Sequence, residues 1–540
     1  MNRKSLTGIL KIAVIVGSAF IVLFLFLQLL LIVWGNNFIK NKIEGQINND
    51  PKSKYRLQIG TLSVNLLLRS ITGKNITCTS LKDQKENHSI VDCAAESISI
   101  KGIHLVALIK KEIKVSALEI NTPDIKLQPV KEKKHNKKRL PPILQKIEIQ
   151  NIKITNGHFE KTGKDKHEVS FLLNSLNFDN ENAIIYPEKL GKGEFIISRK
   201  SLINIGKTEV IFHDSLYTFS VGKLSAKFPE QTIQTDKLSL KPNYDKHQFS
   251  RVKNKEEDRL AISIETVLLN KIDLRQLQSG GIIMRSAVLK NFQIEDYLDT
   301  RVPPQPHAID LPQRLLMKAG CAVAIDSIKC NEGKVIYQEQ RKDRSTYGEL
   351  SFNNINGVFT NVTNDKKRLE KKHTCDLQAE GNLMGKGKIK LNLSFFLLDS
   401  KDKYIYTSTL SAMDASVFNS FIEKTLPARI KSGNIKSVEL SAEADNQTSM
   451  GNMHILYDNF TIEILKENHQ SFEQKIFTFL AQKGVLIREN PHNNKTRPGE
   501  IKYERHPEDT IFISLWKSVL SGLISTITHK ELILKKIVKV

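Results

Sequence analysis

The side chains able to carry covalent chemistry are few and scattered in this 540-residue chain. The five cysteines are Cys78, Cys93, Cys321, Cys330 and Cys375, and no Cys-x-x-Cys occurs. That argues against a zinc site or a thioredoxin-type redox pair. In an oxidising compartment Cys78 could bridge to Cys93, and Cys321 to Cys330, across neighbouring strands. The alternative is five small packing thiols. His104, His158 and His454 fall in strand-like patterns, where satisfied or surface histidines outnumber ligands. Glu256-Glu257-Asp258 sits in a charged stretch and reads as a solvated loop rather than a general acid–base pair. Gly385-Lys386-Gly387-Lys388 lacks the spacing and hydroxyl of a phosphate-binding loop, and HExxH, GxSxG and GxGxxG are absent. The expectation is no catalytic residue, no metal, no cofactor and no enzyme.

Apolar side chains, by contrast, stand in regular arrays. Ile12 to Trp34 is a run of 23 residues without a charge. As a helix rising about 1.5 Å per residue it would cross a hydrocarbon core of about 30 Å. It is longer than the ~7–15-residue apolar core of a signal peptide, and Leu31-Ile32-Val33-Trp34 is a poor cleavage site. It reads as an uncleaved single-pass anchor with Trp34 at the interface. Arg3, Lys4 and Lys11 precede it, while Lys40 and Lys42 follow beside Glu44 and Asp50. That bias puts the N-terminus in the cytoplasm and the bulk of the chain outside it. The net charge of +23 is spread along the chain as solvated lysine. An exported chain rarely meets nucleic acid, so the fitting acidic partner is anionic lipid headgroups near the anchor.

Asn37 to Ile47 places Phe38, Ile39, Ile43 and Ile47 at helical spacing, predicting a short amphipathic helix where the chain leaves the membrane. The period then becomes two. Tyr55, Leu57 and Ile59 alternate with polar residues, Gly60 shifts the phase, and Leu62, Val64 and Leu66 continue. Ile98, Ile100, Ile103 and Leu105 repeat the device around Gly102. Cleaner strands follow at Ile389, Leu391, Leu393 and Phe395, at Tyr404, Tyr406 and Leu410, and at Met453, Ile455 and Tyr457. One dry and one wet face indicate an antiparallel sheet. Lys131–Arg139 with Pro141-Pro142, Arg251–Arg259 and Arg301–Pro306 read as polar linkers.

The chain also repeats itself. Ile113, Val115, Ile120 and Ile125 meet Ile282, Met284, Leu289 and Ile294 at an offset of 169. Ile149, Ile152 and Gly157 meet Ile325, Ile328 and Gly333 at an offset of 176. The shared Ile-x-x-Ile-x-x-x-x-Gly pattern predicts a strand, a turn at Gly and a second strand. The tail differs. Phe472, Ile476, Phe477 and Leu480 have helical spacing. Phe512, Leu515, Trp516, Val519, Leu520 and Leu523 give a second helix a broad apolar face, which either caps the open end of the sheet or docks on a membrane or partner. Leu532–Val540 alternates apolar residues with Lys.

In its order of elements the chain resembles the AsmA family of bacterial envelope proteins, related to TamB and to bridge-like lipid-transfer proteins. The resemblance rests on the anchor, the amphipathic helix, Ser99–Leu108, Ile113–Ile125, Leu426-Pro427-Ala428-Arg429-Ile430-Lys431-Ser432-Gly433, and Gly451–Tyr457. Leu515-Trp516-Lys517-Ser518 resembles the tail of AsmA-like proteins from Bacteroidetes-type bacteria. It implies a β-groove that shields acyl chains, and a role in moving phospholipid toward the outer membrane or in maintaining that membrane.

The expected fold is mainly β: a transmembrane helix, then a long, twisted antiparallel groove built from two related repeats, a few short helices and a C-terminal amphipathic helix. Residues 1–35 form the cytoplasmic stub and inner-membrane anchor. Residues 36–470 form the periplasmic groove, with repeats at about 54–230 and 231–400, and 471–540 form a helical cap and basic tail. Candidate groove-lining residues are Leu62, Val64, Ile103, Leu105, Ile389, Leu391, Leu393, Phe395, Met453, Ile455 and Tyr457. The expected ligand is phospholipid acyl chains, worth about 0.8 kcal/mol per buried CH₂, with envelope proteins at the far end as possible partners. A sheet closed into a dry sandwich, and an envelope scaffold that carries no lipid, are the alternatives.

Overall fold

The computed structural model describes residues 22–23, 26, 28–30, 34–51, 53, 55–81, 90–128, 146–161, 171–186, 202–212, 216–227, 230–273, 276–277, 280–303, 308–342, 344–426, 428–465 and 487–527. Most of the expected anchor, the 131–139 run, the 472–480 helix and the 532–540 tail lie outside them. Among the described residues no helix is long and apolar enough to cross a membrane. The fold is mainly β, and by packing it divides into two units, residues 1–215 with 220–229, and 216–219 with 230–540.

The strands of the first unit are β1 (Tyr55–Asn65), β2 (Ser70–Ser80), β3 (Ile90–Lys101), β4 (Glu112–Asn121), β5 (Asp124–Gln128), β6 (Lys146–Lys161), β7 (Phe171–Ile185), β8 (Leu202–Ile205) and β9 (Thr208–Phe212). In sequence β10 (Tyr217–Val221) spans the division, and β11 (Lys223–Lys227) returns to pair with β8. The second unit comprises β12 (Thr232–Pro242), β13 (Arg259–Asn270), β14 (Ile282–Asp299), β15 (Val323–Gln340), β16 (Gly348–Thr363), β17 (Thr374–Leu383), β18 (Gly387–Phe396) and β19 (Tyr404–Leu410). It ends with β20 (Met413–Asp414), β21 (Ala428–Ala444), β22 (Thr448–Ile464) and β23 (Gly499–Glu504).

Among the described strand registers, pairing is antiparallel except where β4 and β5 both meet β6, and where β14 meets β15. The all-antiparallel expectation is therefore corrected. Parallel neighbours need a long crossover connection, and the basic 131–139 run and the Pro-rich 301–306 segment each lie in one. These crossovers carry the duplication into three dimensions. Val115 pairs with Ile149 in the first unit, and their counterparts Met284 and Ile325 pair in the second. The turn expected at Gly157 and Gly333 is absent: β6 and β15 run through these glycines with a register shift. The preceding Asn156 (φ 51°) and Glu332 (φ 56°) adopt left-handed conformations, and because the ladder continues beyond them the irregularity is a bulge and not a hairpin turn.

The phase shift at Gly60 is real. Opposite it in the β1–β2 ladder the chain passes through Asn75 (φ 52°). A Cβ on Gly73 would meet Ile76 at 2.9 Å and Ile59 at 3.6 Å, so the residues on either side of the shift share one face. Around Gly102 (φ 65°) the strand stops instead, and Leu105 begins a short helix, Leu105–Ile109. Cys78 stands opposite Cys93 on β2 and β3. The Cys321–Cys330 pairing is excluded: Cys330 stands seven residues into β15 from Val323, or ~23 Å at about 3.3 Å per residue, and Cys321, only two residues before that strand, cannot reach back to it.

Both terminal edges are covered by helices that present polar side chains to the strand. The helix Asn36–Asn48 runs beside β1. Val64 N–H donates to Asn36 Oδ1 (2.9 Å), Lys40 Nζ to Gly60 O (3.0 Å), Ile59 N–H to Glu44 Oε1 (2.6 Å) and Leu57 N–H to Asn48 Oδ1 (2.8 Å). Positions 36, 40, 44 and 48 form one helical stripe, so it is the polar face of the helix that docks on β1. At the other terminus the helix Ile511–Ile527 lies against β23. Ser525 Oγ accepts from Glu500 N–H (3.0 Å) and Ser521 Oγ from Lys502 N–H (3.1 Å). Gly499 is required there, because a Cβ would fall 2.2 Å from Thr526 Oγ1 and 2.4 Å from Gly522 O.

Removing one of these acceptors uncovers an edge amide. In Glu44→Leu the Ile59 amide should exchange with solvent roughly fivefold faster, about 1 kcal/mol of local protection. Hydrogen–deuterium exchange of peptides covering β1 measures this, with peptides from β21 and β22 unchanged.

Candidate functional site

Residues paired across strands share a face, so the registers sort the first unit's side chains into rows. One row runs Leu62, Gly73, Ile98, Ile120, Ile154, Phe178, Ile205 and Leu224 across eight strands. At about 4.8 Å per strand this spans ~34 Å. A second runs Val64, Ile71, Ile100, Leu118 and Ile152. A third, beyond the phase shift, runs Leu57, Cys78, Cys93, Ile125, Phe159, Leu173 and Val210. Apart from the buried Gly73, every member of the three rows is half-buried. Between the first two lies a polar row, Ser63, Thr72, Ser99, Glu119, Lys153, Asp179, Asn204 and Ser225, which alternation sends to the opposite face.

The described helices of this unit sit at β1 and beside β4. The buried cluster is correspondingly small: Val115, Ile149 and Ala183, with Ile100, Ile103, Leu118 and Ile152 packed against it. The first unit thus presents a broad, partly open apolar face. Sequence reading found Leu62, Val64 and Ile103 on or beside it. It missed Ile120, Ile154, Phe178, Ile205 and Leu224, whose Ile-x-Ile signal is visible at 152–154 but whose neighbours come from distant segments.

The second unit is different. Leu393 (5% exposed), Phe395, Met453 (0%), Ile455 and Tyr457 lie in one closed core with Tyr404, Tyr406, Leu440 and Ile501. Leu316, Met317, Leu515, Val519 and Leu523 from two helices pack onto it. Ile389 and Leu391 are half-buried on the same strand, while Lys388, Lys390 and Asn392 point to solvent as the alternation requires. Phe512 and Trp516 pack on Tyr337, Leu350 and Phe421, and Leu520 is half-buried. Leu105, by contrast, is 65% exposed.

This unit also holds the main electrostatic anomaly. Asp258, expected in a solvated loop, lies near Asp296 on β14. Burial and then the Asp258 charge push Asp296 up to about 8; burial and then Glu257 push Asp258 up to about 6. Asp296 Oδ1 is buried without a hydrogen-bond partner. Tyr337, which donates to Glu339 Oε2 (3.2 Å), is also raised, chiefly by burial. Near neutrality the pair therefore holds about one proton, mainly on Asp296. Burial likewise pushes the Cys375 thiol up to about 11, so it packs rather than reacts. Among the described residues no cluster of three or more His, Cys, Asp or Glu could hold a metal. No protein-family profile matches the chain, and no curated protein matches it.

Two outcomes follow from this geometry. Leu393→Glu buries a carboxylate without a partner and should cost about 3–5 kcal/mol, read as a collapsed thermal melt. Asp296→Asn should act through pH. The folded-state pKa is raised, so wild-type stability falls as pH climbs from about 4, the unfolded value, to about 8, and is flat above. The variant should melt higher than wild type at pH 8, by an amount on the order of 1 kcal/mol or more, with the gap closing toward pH ~4. Melts in a pH series measure it.

Proposed function

We propose that this chain is an AsmA-like, inner-membrane-anchored periplasmic protein that holds lipid acyl chains on the apolar face of its first unit. In this reading it takes part in phospholipid transport to the outer membrane, or in that membrane's assembly and maintenance. The observation that carries it is the set of half-buried apolar rows, up to eight strands wide, with a polar reverse face. An apolar surface of that extent in water marks a ligand or partner site. Acyl chains suit it because the rows carry aliphatic groups and few polar atoms, so binding is non-directional and scales with buried CH₂. The uncharged run Ile12–Trp34 supports a membrane source for the ligand. The closed core of the second unit supports a structural role for that unit rather than a second lipid site.

The test is lipid extraction and mass spectrometry of the purified chain. Ile120→Glu with Ile154→Glu places two carboxylates side by side on the half-open face, where water can still reach them. Bound phospholipid should fall by more than about half while the melt stays within a few degrees of wild type. Ser63→Glu, on the polar face, should leave lipid content unchanged. Wild-type protein that carries no lipid, or a double variant that keeps it, defeats the proposal.

A further inference from the structure

One end of the first unit carries exposed apolar residues that no packing explains. Leu67 and Leu68, in the β1–β2 turn, are 74% and 64% exposed, and Leu66 beside them is also exposed. In the helix Leu105–Ile109, Leu105, Val106 and Ile109 are 65%, 70% and 83% exposed. The two segments adjoin, because Ile103 N–H donates to Arg69 O at 3.0 Å. The described part of the apolar N-terminal run reaches the same turn: Gln28 Nε2 donates to Val64 O (3.1 Å) and Leu66 N–H donates to Gln28 Oε1 (3.0 Å). In that run Leu23, Phe26 and Leu29 are more than half exposed as well. The charges on the two segments are Arg69, Lys110 and Lys111, with no acid among residues 66–69 or 102–111.

We infer that the β1–β2 turn and the Leu105–Ile109 helix together insert into the bilayer that holds the N-terminal run, with Arg69, Lys110 and Lys111 on its anionic headgroups. This rests on the anchored reading proposed above. Three observations select a membrane as the occupant. The residues are aliphatic and lie at tips, as in interfacial insertion. The flanking charges are all basic, complementary to anionic lipid. The patch is continuous with an uncharged run long enough to span.

The test uses the full chain in vesicles of phosphatidylethanolamine, phosphatidylglycerol and phosphatidylcholine brominated on its acyl chains. With Trp34→Phe and Trp516→Phe as background, a single tryptophan is introduced by Leu67→Trp, Val106→Trp or, as the control on the polar face, Lys126→Trp. Bromolipid should quench the first two about twofold relative to unbrominated vesicles, with a blue-shifted emission, and leave the third unchanged. Quenching equal to the control at both positions overturns the inference and assigns the patch to a protein partner or to the chain itself. A Trp516→Phe protein, which retains Trp34, reports on the anchor separately. Quenched Trp34 with unquenched tips leaves the anchored reading standing, whereas unquenched Trp34 removes it.

Discussion

An open sheet edge is a row of backbone N–H and C=O groups that must find partners, and this protein's architecture depends on how it meets that demand. At each terminus a helix lies along the outermost described strand and offers side-chain oxygens to its amides. Asn36, Glu44 and Asn48 do so for β1, and Ser521 and Ser525 for β23. The cost is that the helix face turned inward is polar. Apolar side chains of the first helix, such as Phe38, are left outside. Edge protection and the exposure of Phe38 and Ile47 thus have one origin.

A second constraint is phase. Strands of 15–18 residues, such as β7, β14 and β15, cannot keep one face to the interior without correcting their twist. Left-handed residues, most of them asparagine, interrupt β6, β14, β15, β16 and β22, and the apolar alternation resumes beyond them. The registers then line up isolated Ile-x-Ile patterns from distant segments into continuous rows. In both halves the parallel crossover pairs the same duplicated positions, so the repeat preserves topology even where side chains differ.

The halves diverge in how their apolar face is used. In the second unit, helices from 312–317 and 511–527 pack over the face, and large aromatics such as Tyr404 and Tyr406 fill the core. In the first, the helices sit at an edge and beside β4, and the rows stay half-buried. The same alternating sequence pattern therefore supports a closed core in one place and an open face in another. The buried Asp258–Asp296 pair belongs to the closed unit, where desolvation sets its protonation.

The amino-acid sequence by itself determined the β class, the strand periodicity, the phase shift at Gly60, the duplication and the two terminal helices. Each of these is a local pattern of period 2, 3.6 or constant offset. Tertiary structure decided the rest. Whether Leu393 or Ile154 stays accessible depends on which helix crosses its face, and alternation is identical for both. Whether Asn-Gly at 156–157 turns or bulges depends on the partner strand that continues beyond it. Cys321 and Cys330 are close in sequence, but Cys330 lies seven residues into β15 while Cys321 precedes it, and only the strand assignment reveals that separation. The polar stripe at 36, 40, 44 and 48 gains its meaning from the unpaired amides of β1, a partner that no property of the helix itself specifies.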